Sequence, residues 1–163
     1  MQLNSAFLLV IVPTLYGLQA FYILMTTEFT WPIKVYYEDT DAGGVVYYAN
    51  YLKFFERARS EWLNALGLDQ AQMLREDIAF AVKKADVEYI KPARLNDDCF
   101  VVSSISEIKG ASLIFNQSIF AKQDKQQEMA LCKAVIKVAC LKLTTFTPCR
   151  LPANVKKEIQ RVC

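Results

Sequence analysis

The chain reads as an α+β fold in which one long helix is wrapped by a curved antiparallel sheet. Three observations predict this. Apolar residues recur at helical spacing from Ala49 to Leu66, long extended runs rich in β-forming residues follow, and short turn sequences separate those runs. With 163 residues and no internal repeat, low-complexity tract or linker, the chain can bury one sizeable core.

The elements follow in chain order. Met1 to Thr27 carries no charged residue and Ala6 to Leu24 is mostly apolar. As a helix, residues 1–24 would span about 36 Å, enough to cross a bilayer. Pro13 and Gly17 interrupt that segment, no Lys or Arg precedes it, and no small-x-small cleavage site follows, so a signal peptide is disfavoured. Met25 lies six residues before Trp31, where the globular pattern begins, and is an alternative initiator. Three readings stand in order of preference: a start placed upstream of the true one, a membrane anchor, and a packed extra helix. The chain divides into this apolar extension, 1–24, and a domain, 25–163.

Ile33 to Glu38 is rich in β-formers and predicts the first strand. Asp39 to Gly44 is turn chemistry, with two Asp, one Thr and two Gly residues. In the long helix, Tyr51, Phe55, Ala58, Trp62 and Leu66 form a core-facing stripe widened by Leu52 and Leu63. Lys53, Glu56, Arg57 and Glu61 fall mostly opposite, and the run Glu56 to Arg59 reads as a solvated or subunit-facing surface. Asn50 is the expected N-cap and Gly67 the C-terminal stop. A shorter helix is expected over Asp69 to Glu76. Val82 to Lys91 alternates, with Ala85, Val87 and Tyr89 on one face, and Pro92 ends it. Cys99 to Ile108 and Ser112 to Phe120 flank a hairpin turn at 109–111. Gln123 to Gln127 predicts a polar turn, Met129 to Leu143 a long strand, and Pro152 to Val162 a short helix.

Composition excludes several function classes. The chain has no histidine, which rules out Ser-His-Asp and Cys-His triads and histidine metal clusters and leaves a carboxylate as the leading catalytic group. The 19 basic and 17 acidic residues leave +2, no electrostatic basis for nucleic-acid binding. The five cysteines are odd in number and never spaced CxxC, so they read as neither a zinc site nor a disulfide framework. Cys99, Cys132 and Cys140 are expected as buried small hydrophobes of a cytosolic protein.

The run YYEDTDAGGVVYYANYLKFFERARSEWL, Tyr36 to Leu63, resembles the hotdog-fold acyl-CoA thioesterases, especially the branch associated with the Tol–Pal envelope system. VEYIKPARLNDD, Val87 to Asp98, and KGASLIFNQSIF, Lys109 to Phe120, continue the resemblance, which covers about Trp31 to Pro152. It implies a hotdog fold, an acyl-CoA or acyl carrier protein thioester as substrate, and hydrolysis to acid and thiol without metal or redox cofactor. It also implies a homodimer or homotetramer with sites between subunits. A cytoplasmic location is expected; the alternative is inner-membrane anchoring through residues 1–24.

The resemblance assigns the essential carboxylate to Asp41 and polarisation of the thioester carbonyl to the backbone N–H of Tyr48. Both roles are chemically sound: an attacked carbonyl gains negative charge, and helix N-terminal amides are unpaired donors at the positive dipole end. Asp41 would serve as general base toward water or as nucleophile through a mixed anhydride. Gly43 and Gly44 allow a sharp turn and close backbone approach to substrate. Val46, Tyr51, Arg94 and Lys109 complete the candidate substrate contacts, the two cations as candidates for CoA phosphates. Asp39 reads first as a turn residue, and Tyr36, Tyr37, Tyr47 and Tyr51 first as core or interface aromatics. The Tol–Pal branch commonly has histidine where this chain has Tyr48, and tyrosine there is similar to the 4-hydroxybenzoyl-CoA thioesterases. Hotdog dehydratases use a histidine that this chain lacks. A non-catalytic acyl-binding or scaffold module at the envelope is the alternative function.

Overall fold

Period-two burial along the strands gives the sheet one face for the core. The computed structural model describes residues 4–10, 22–122 and 129–163. In chain order the elements are β1 (Asn4–Val10), β2 (Tyr22–Lys34), α1 (Asn50–Ala65), α2 (Gln70–Arg75), β3 (Ile78–Tyr89), β4 (Asp98–Ile108), β5 (Ser112–Ala121), β6 (Cys132–Lys142) and α3 (Ala153–Arg161). The strands form one sheet of six in the order β1-β2-β4-β5-β6-β3, every neighbouring pair antiparallel.

On β5, Leu113, Phe115, Gln117 and Ile119 point inward, and on β6 Cys132, Ala134, Ile136, Val138 and Cys140 do so. Such strict alternation fixes register, because a slip of one residue would turn the whole set to solvent. Against this face lies the buried side of α1, with Tyr51, Phe54, Phe55, Ala58 and Trp62. Trp62 stacks on Phe29 at 5.8 Å between ring centroids and meets Phe115 edge-on at 6.0 Å. Cys99, Cys132 and Cys140 are buried free thiols, as expected. Burial pushes them up to about 11, 12 and 12 respectively, so they stay protonated near neutrality.

Several expectations need correction. Asn4–Val10 is a strand paired with β2, Asn4 opposite Glu28 and Val10 opposite Tyr22, so the described part of the extension is sheet rather than helix. Pairing with β2 satisfies backbone groups that a helix interrupted by Pro13 and Gly17 would leave open. Residues 1–3 and 11–21 lie outside the described residues, as does the turn expected over Gln123 to Gln127. No helix among the described residues is long and apolar enough to cross a membrane.

The strand expected over Ile33 to Glu38 ends at Lys34 and gives way to a 3-10 turn at Tyr37–Asp39. The cause is Asp39, whose carboxylate accepts from the Tyr36 N–H at 2.9 Å and curls the chain back. Asn50 is not a side-chain cap of α1; it is the first helical residue, buried, and donates to the Asp39 carbonyl at 3.0 Å. Leu52 is exposed, and Arg59, expected on the solvated side, is only 8% exposed. Gly67 does end the helix region, at φ +75, where glycine avoids a Cβ clash.

Candidate active site

Two stretches meet beside the start of α1: the loop from Val35 to Ala49, and the chain leaving β3 toward β4. Backbone bonds join them, Val35 N–H to Asp97 O at 3.0 Å and Val46 N–H to Ala93 O at 2.9 Å, with a β-bridge between Val45 and Arg94. The Tyr51 hydroxyl accepts from the Ala93 N–H at 2.9 Å, tying the first helical turn to the same stretch. Burial pushes the Tyr51 phenol above its ordinary value, so it remains a neutral structural acceptor.

Within this frame the two acidic residues of the turn part company. Asp39 is 2% exposed and spent on structure: its carboxylate holds Tyr36, and its carbonyl takes the Tyr47 N–H at 2.9 Å and the Asn50 side chain. Asp41 is exposed at the head of a tight loop closed by a Thr40–Val46 bridge. Its N–H donates to Val45 O and its carbonyl accepts from Gly44, both at 3.0 Å, while Oδ1 accepts from the Gly43 N–H at 2.8 Å. Among the described residues no hydrogen bond engages Oδ2, which leaves one carboxylate oxygen free for a proton or a carbonyl carbon. The glycines are required here. Gly44 has φ +71, and a Cβ on Gly43 would stand 3.0 Å from Asp41 Oδ1.

The loop ends in donors. Among the described residues, neither the Tyr48 nor the Ala49 N–H donates to a backbone carbonyl, whereas Asn50 N–H already bonds Tyr47 O at 2.8 Å. These two groups sit at the positive end of a helix of 16 residues. Beside them opens a cleft of about 230 Å³ with walls that include Val46, Tyr48, Tyr51, Tyr89 and Pro92. Tyr89 donates its hydroxyl to the Tyr48 carbonyl at 3.2 Å and its ring lies 5.6 Å from that of Tyr51. Sequence reading placed Tyr89 simply on one face of its strand with Ala85 and Val87; its position just before the Ile90-Lys91-Pro92 exit was the available sign that it borders the loop.

The structure thus brings Asp41, Gly43, Gly44, Val46, Tyr48 and Tyr51 into one corner. Arg94 joins it through its backbone, donating to the Asp97 carboxylate at 2.8 Å, with an exposed side chain. Lys109 does not join it. It lies in the β4–β5 turn, paired with Glu107 at 3.0 Å, beyond the far end of β4, and eleven residues of strand separate it from that corner by roughly 33 Å. Among the described residues no cluster of three or more His, Cys, Asp or Glu is placed to hold a metal ion.

Comparison with known proteins places the chain among thioesterases. The profile of the Thioesterase-like superfamily matches residues 35–160. The acyl-CoA thioesterase YbgC of Haemophilus influenzae is 43% identical over 134 residues, 82% of this chain and 95% of that protein. The acyl-CoA thioester hydrolase YbgC of Escherichia coli O6:H1 is 41% identical over 136 residues, covering 83% and 98%. Among solved structures, a 1,4-dihydroxy-2-naphthoyl-CoA thioesterase from Synechocystis superposes with TM-score 0.74 at 25% identity, covering 82% of this chain and 96% of that one. The hotdog expectation for the fold holds.

Proposed function

The chain belongs to the Thioesterase-like superfamily, and from that premise we propose that it hydrolyses acyl-CoA thioesters to a free acid and a thiol. The observation that carries the reading is the conjunction, on one loop beside an aromatic cleft, of a carboxylate with one unengaged oxygen and two unspent backbone N–H groups. The printed activities of the two YbgC relatives, at 43% and 41% identity over most of the chain, support the substrate class.

In this mechanism the thioester oxygen lies against the Tyr48 N–H, where charge developing on attack meets preorganised donors and helix dipole; one such donor is typically worth about 10²–10³ in rate. Asp41 Oδ2 takes a proton from water as the water oxygen bonds the carbonyl carbon. Collapse of the tetrahedral adduct breaks the C–S bond, and the departing thiolate takes up a proton. Attack by Asp41 itself, forming a mixed anhydride that water cleaves, uses the same atoms. In a single turnover in heavy-oxygen water, label in the Asp41 carboxylate identifies the second route with water attacking the Asp41 carbon of the anhydride. Tyr48 acts through its backbone, so a tyrosine in place of histidine leaves the donor intact.

An acyl carrier protein thioester presents the same reacting group, and comparing both carriers on one acyl chain ranks them. The free cysteines of the described residues fit a reducing, cytoplasmic setting. A second copy of the chain fits the edge of β3, which among the described strands bonds only β6. Antiparallel self-pairing centred near Ala85 sets Lys84 opposite Asp86, charge-complementary by symmetry. Thiol release across short, long and aromatic acyl-CoAs tests the function. Release above the buffer rate on at least one is expected, and none on any would sink it.

A further inference from the structure

A buried cation lies further along the same helix, with Glu56 one turn before it as a nearby acid but with no salt bridge among the described residues. Arg59 is 8% exposed, and its guanidinium spends one nitrogen on Gln117 Oε1 at 2.7 Å and lies 6.0 Å from the centroid of the Phe115 ring. Gln117 is itself used up, its Nε2 donating to Phe55 O and Ser103 Oγ. No carboxylate lies within salt-bridge distance of Arg59 among the described residues, and burial lowers the guanidinium's affinity for its proton. Yet the indole nitrogen of Trp62 is the one side-chain polar atom among them that is both buried and unpartnered. The remaining Arg59 donors therefore open onto space, and that space is visible.

Two hollows of about 350 and 100 Å³ adjoin between α1 and β3, sharing Glu56, Arg59 and Val82 in their walls. The larger is otherwise aliphatic, with Leu52, Ala85 and Ile136, and carries Lys53 at its edge. It shares no wall residue with the aromatic cleft but lies next along the same two elements. Leu52 is one helical turn beyond Tyr48, and Ala85 precedes Tyr89 on the same strand. From Tyr48 to Arg59 the helix advances about 16 Å. An acyl chain laid along α1 and β3 from the thioester would pass Leu52, Ala85 and Ile136 before it reached the guanidinium fork.

We propose that Arg59 is a specificity residue that selects acyl groups ending in a carboxylate, the monothioesters of medium-chain α,ω-dicarboxylic acids. This rests on the thioesterase reading and names its substrate class. A plain hydrocarbon end would strip water from the buried guanidinium and return nothing, whereas a carboxylate accepts two parallel N–H bonds from it. Glu56, exposed at the rim with its carboxylate accepting from Ser60 Oγ at 2.8 Å, is the sole acid in either wall and opposes such a ligand.

The test is kcat/KM for sebacoyl-CoA against decanoyl-CoA, which differ only at the far end. A preference of about 10–100-fold for the diacid is expected, the worth of a hydrogen bond to a charged group. Arg59→Met brings the ratio to about one, Arg59→Lys gives an intermediate ratio, and Glu56→Gln raises it. Decanoyl-CoA cleaved as well as sebacoyl-CoA overturns the proposal and leaves the thioesterase reading standing. So does a preference that survives in Arg59→Met or fails to rise in Glu56→Gln. Cleavage of neither ester, nor of any other acyl-CoA, overturns both.

Discussion

At Asp41, backbone geometry makes an ordinary turn residue available for chemistry. Its Oδ1 is held by the Gly43 N–H at 2.8 Å, so the carboxylate cannot swing, and the other oxygen is free. Gly43→Ala places a methyl 3.0 Å from Oδ1, which must give by a few tenths of an ångström. A 1 Å misplacement costs on the order of 10² in rate, so this smaller shift lowers kcat by less than that while the melting temperature changes little. Steady-state kinetics alongside a thermal melt check this, and an unchanged kcat contradicts it. The roles of Asp39 and Asp41 were partly legible in the sequence, because a D-x-D-x-x-G turn invites one structural and one exposed acid. Which oxygen each spends was not legible, since it depends on Tyr36, Tyr47 and Asn50 converging from three parts of the loop. Arg59 was misplaced for a related reason. Helical periodicity set it beside Arg57 on a polar face, but Gln117 and Phe115 reach it from a strand far along the chain.

Elements followed the hydrophobic period closely, and they departed from it where side-chain bonds overrode propensity. The helix α1, the β4–β5 hairpin and α3 sit within a residue or two of their expected bounds. The first strand stopped early because Asp39 supplies a competing turn, and β1 appeared where a helix was one of the readings because its partner strand offers a ladder that the sequence does not announce. The junction before β3 depends on Asp77, which adopts φ 62 and accepts from Thr144 N–H at 2.8 Å and Thr144 Oγ1 at 3.0 Å. The Thr144 N–H, and with it Lys142 at 3.9 Å, holds the Asp77 carboxyl below the usual carboxylate range. A depressed native value means the native state binds fewer protons than the unfolded chain, so the contribution is present above the ordinary Asp value near 4 and fades as pH falls through the native value. Asp77→Asn, which tolerates the same backbone, therefore flattens the acid limb of a stability-versus-pH curve below about pH 4. Identical acid limbs for the two proteins contradict this assignment.

For the whole molecule, the sheet order among the described residues leaves β3 with a free edge beside the aromatic cleft, and Tyr89 belongs to both. The strand is exposed from Ala81 to Asp86, and natural sheets pair or protect such an edge. Sedimentation at micromolar concentration is expected to give a dimer or tetramer, and a fully active monomer contradicts that expectation. The α+β class was legible from one long helix and several alternating strands. The position of β3 at an edge was not, because alternation of Ala85, Val87 and Tyr89 reads alike in a covered and an uncovered strand. The central claim is that a thioester is cleaved by the carboxylate of this loop. Asp41→Asn keeps the Gly43 bond and the loop's shape while removing the base. Thiol release from acyl-CoA by the two proteins, each shown to be folded by circular dichroism, is the most direct measurement. A loss of about 10²–10⁴ in kcat with little change in melting temperature is expected; equal rates in the two proteins would exclude Asp41 as the base.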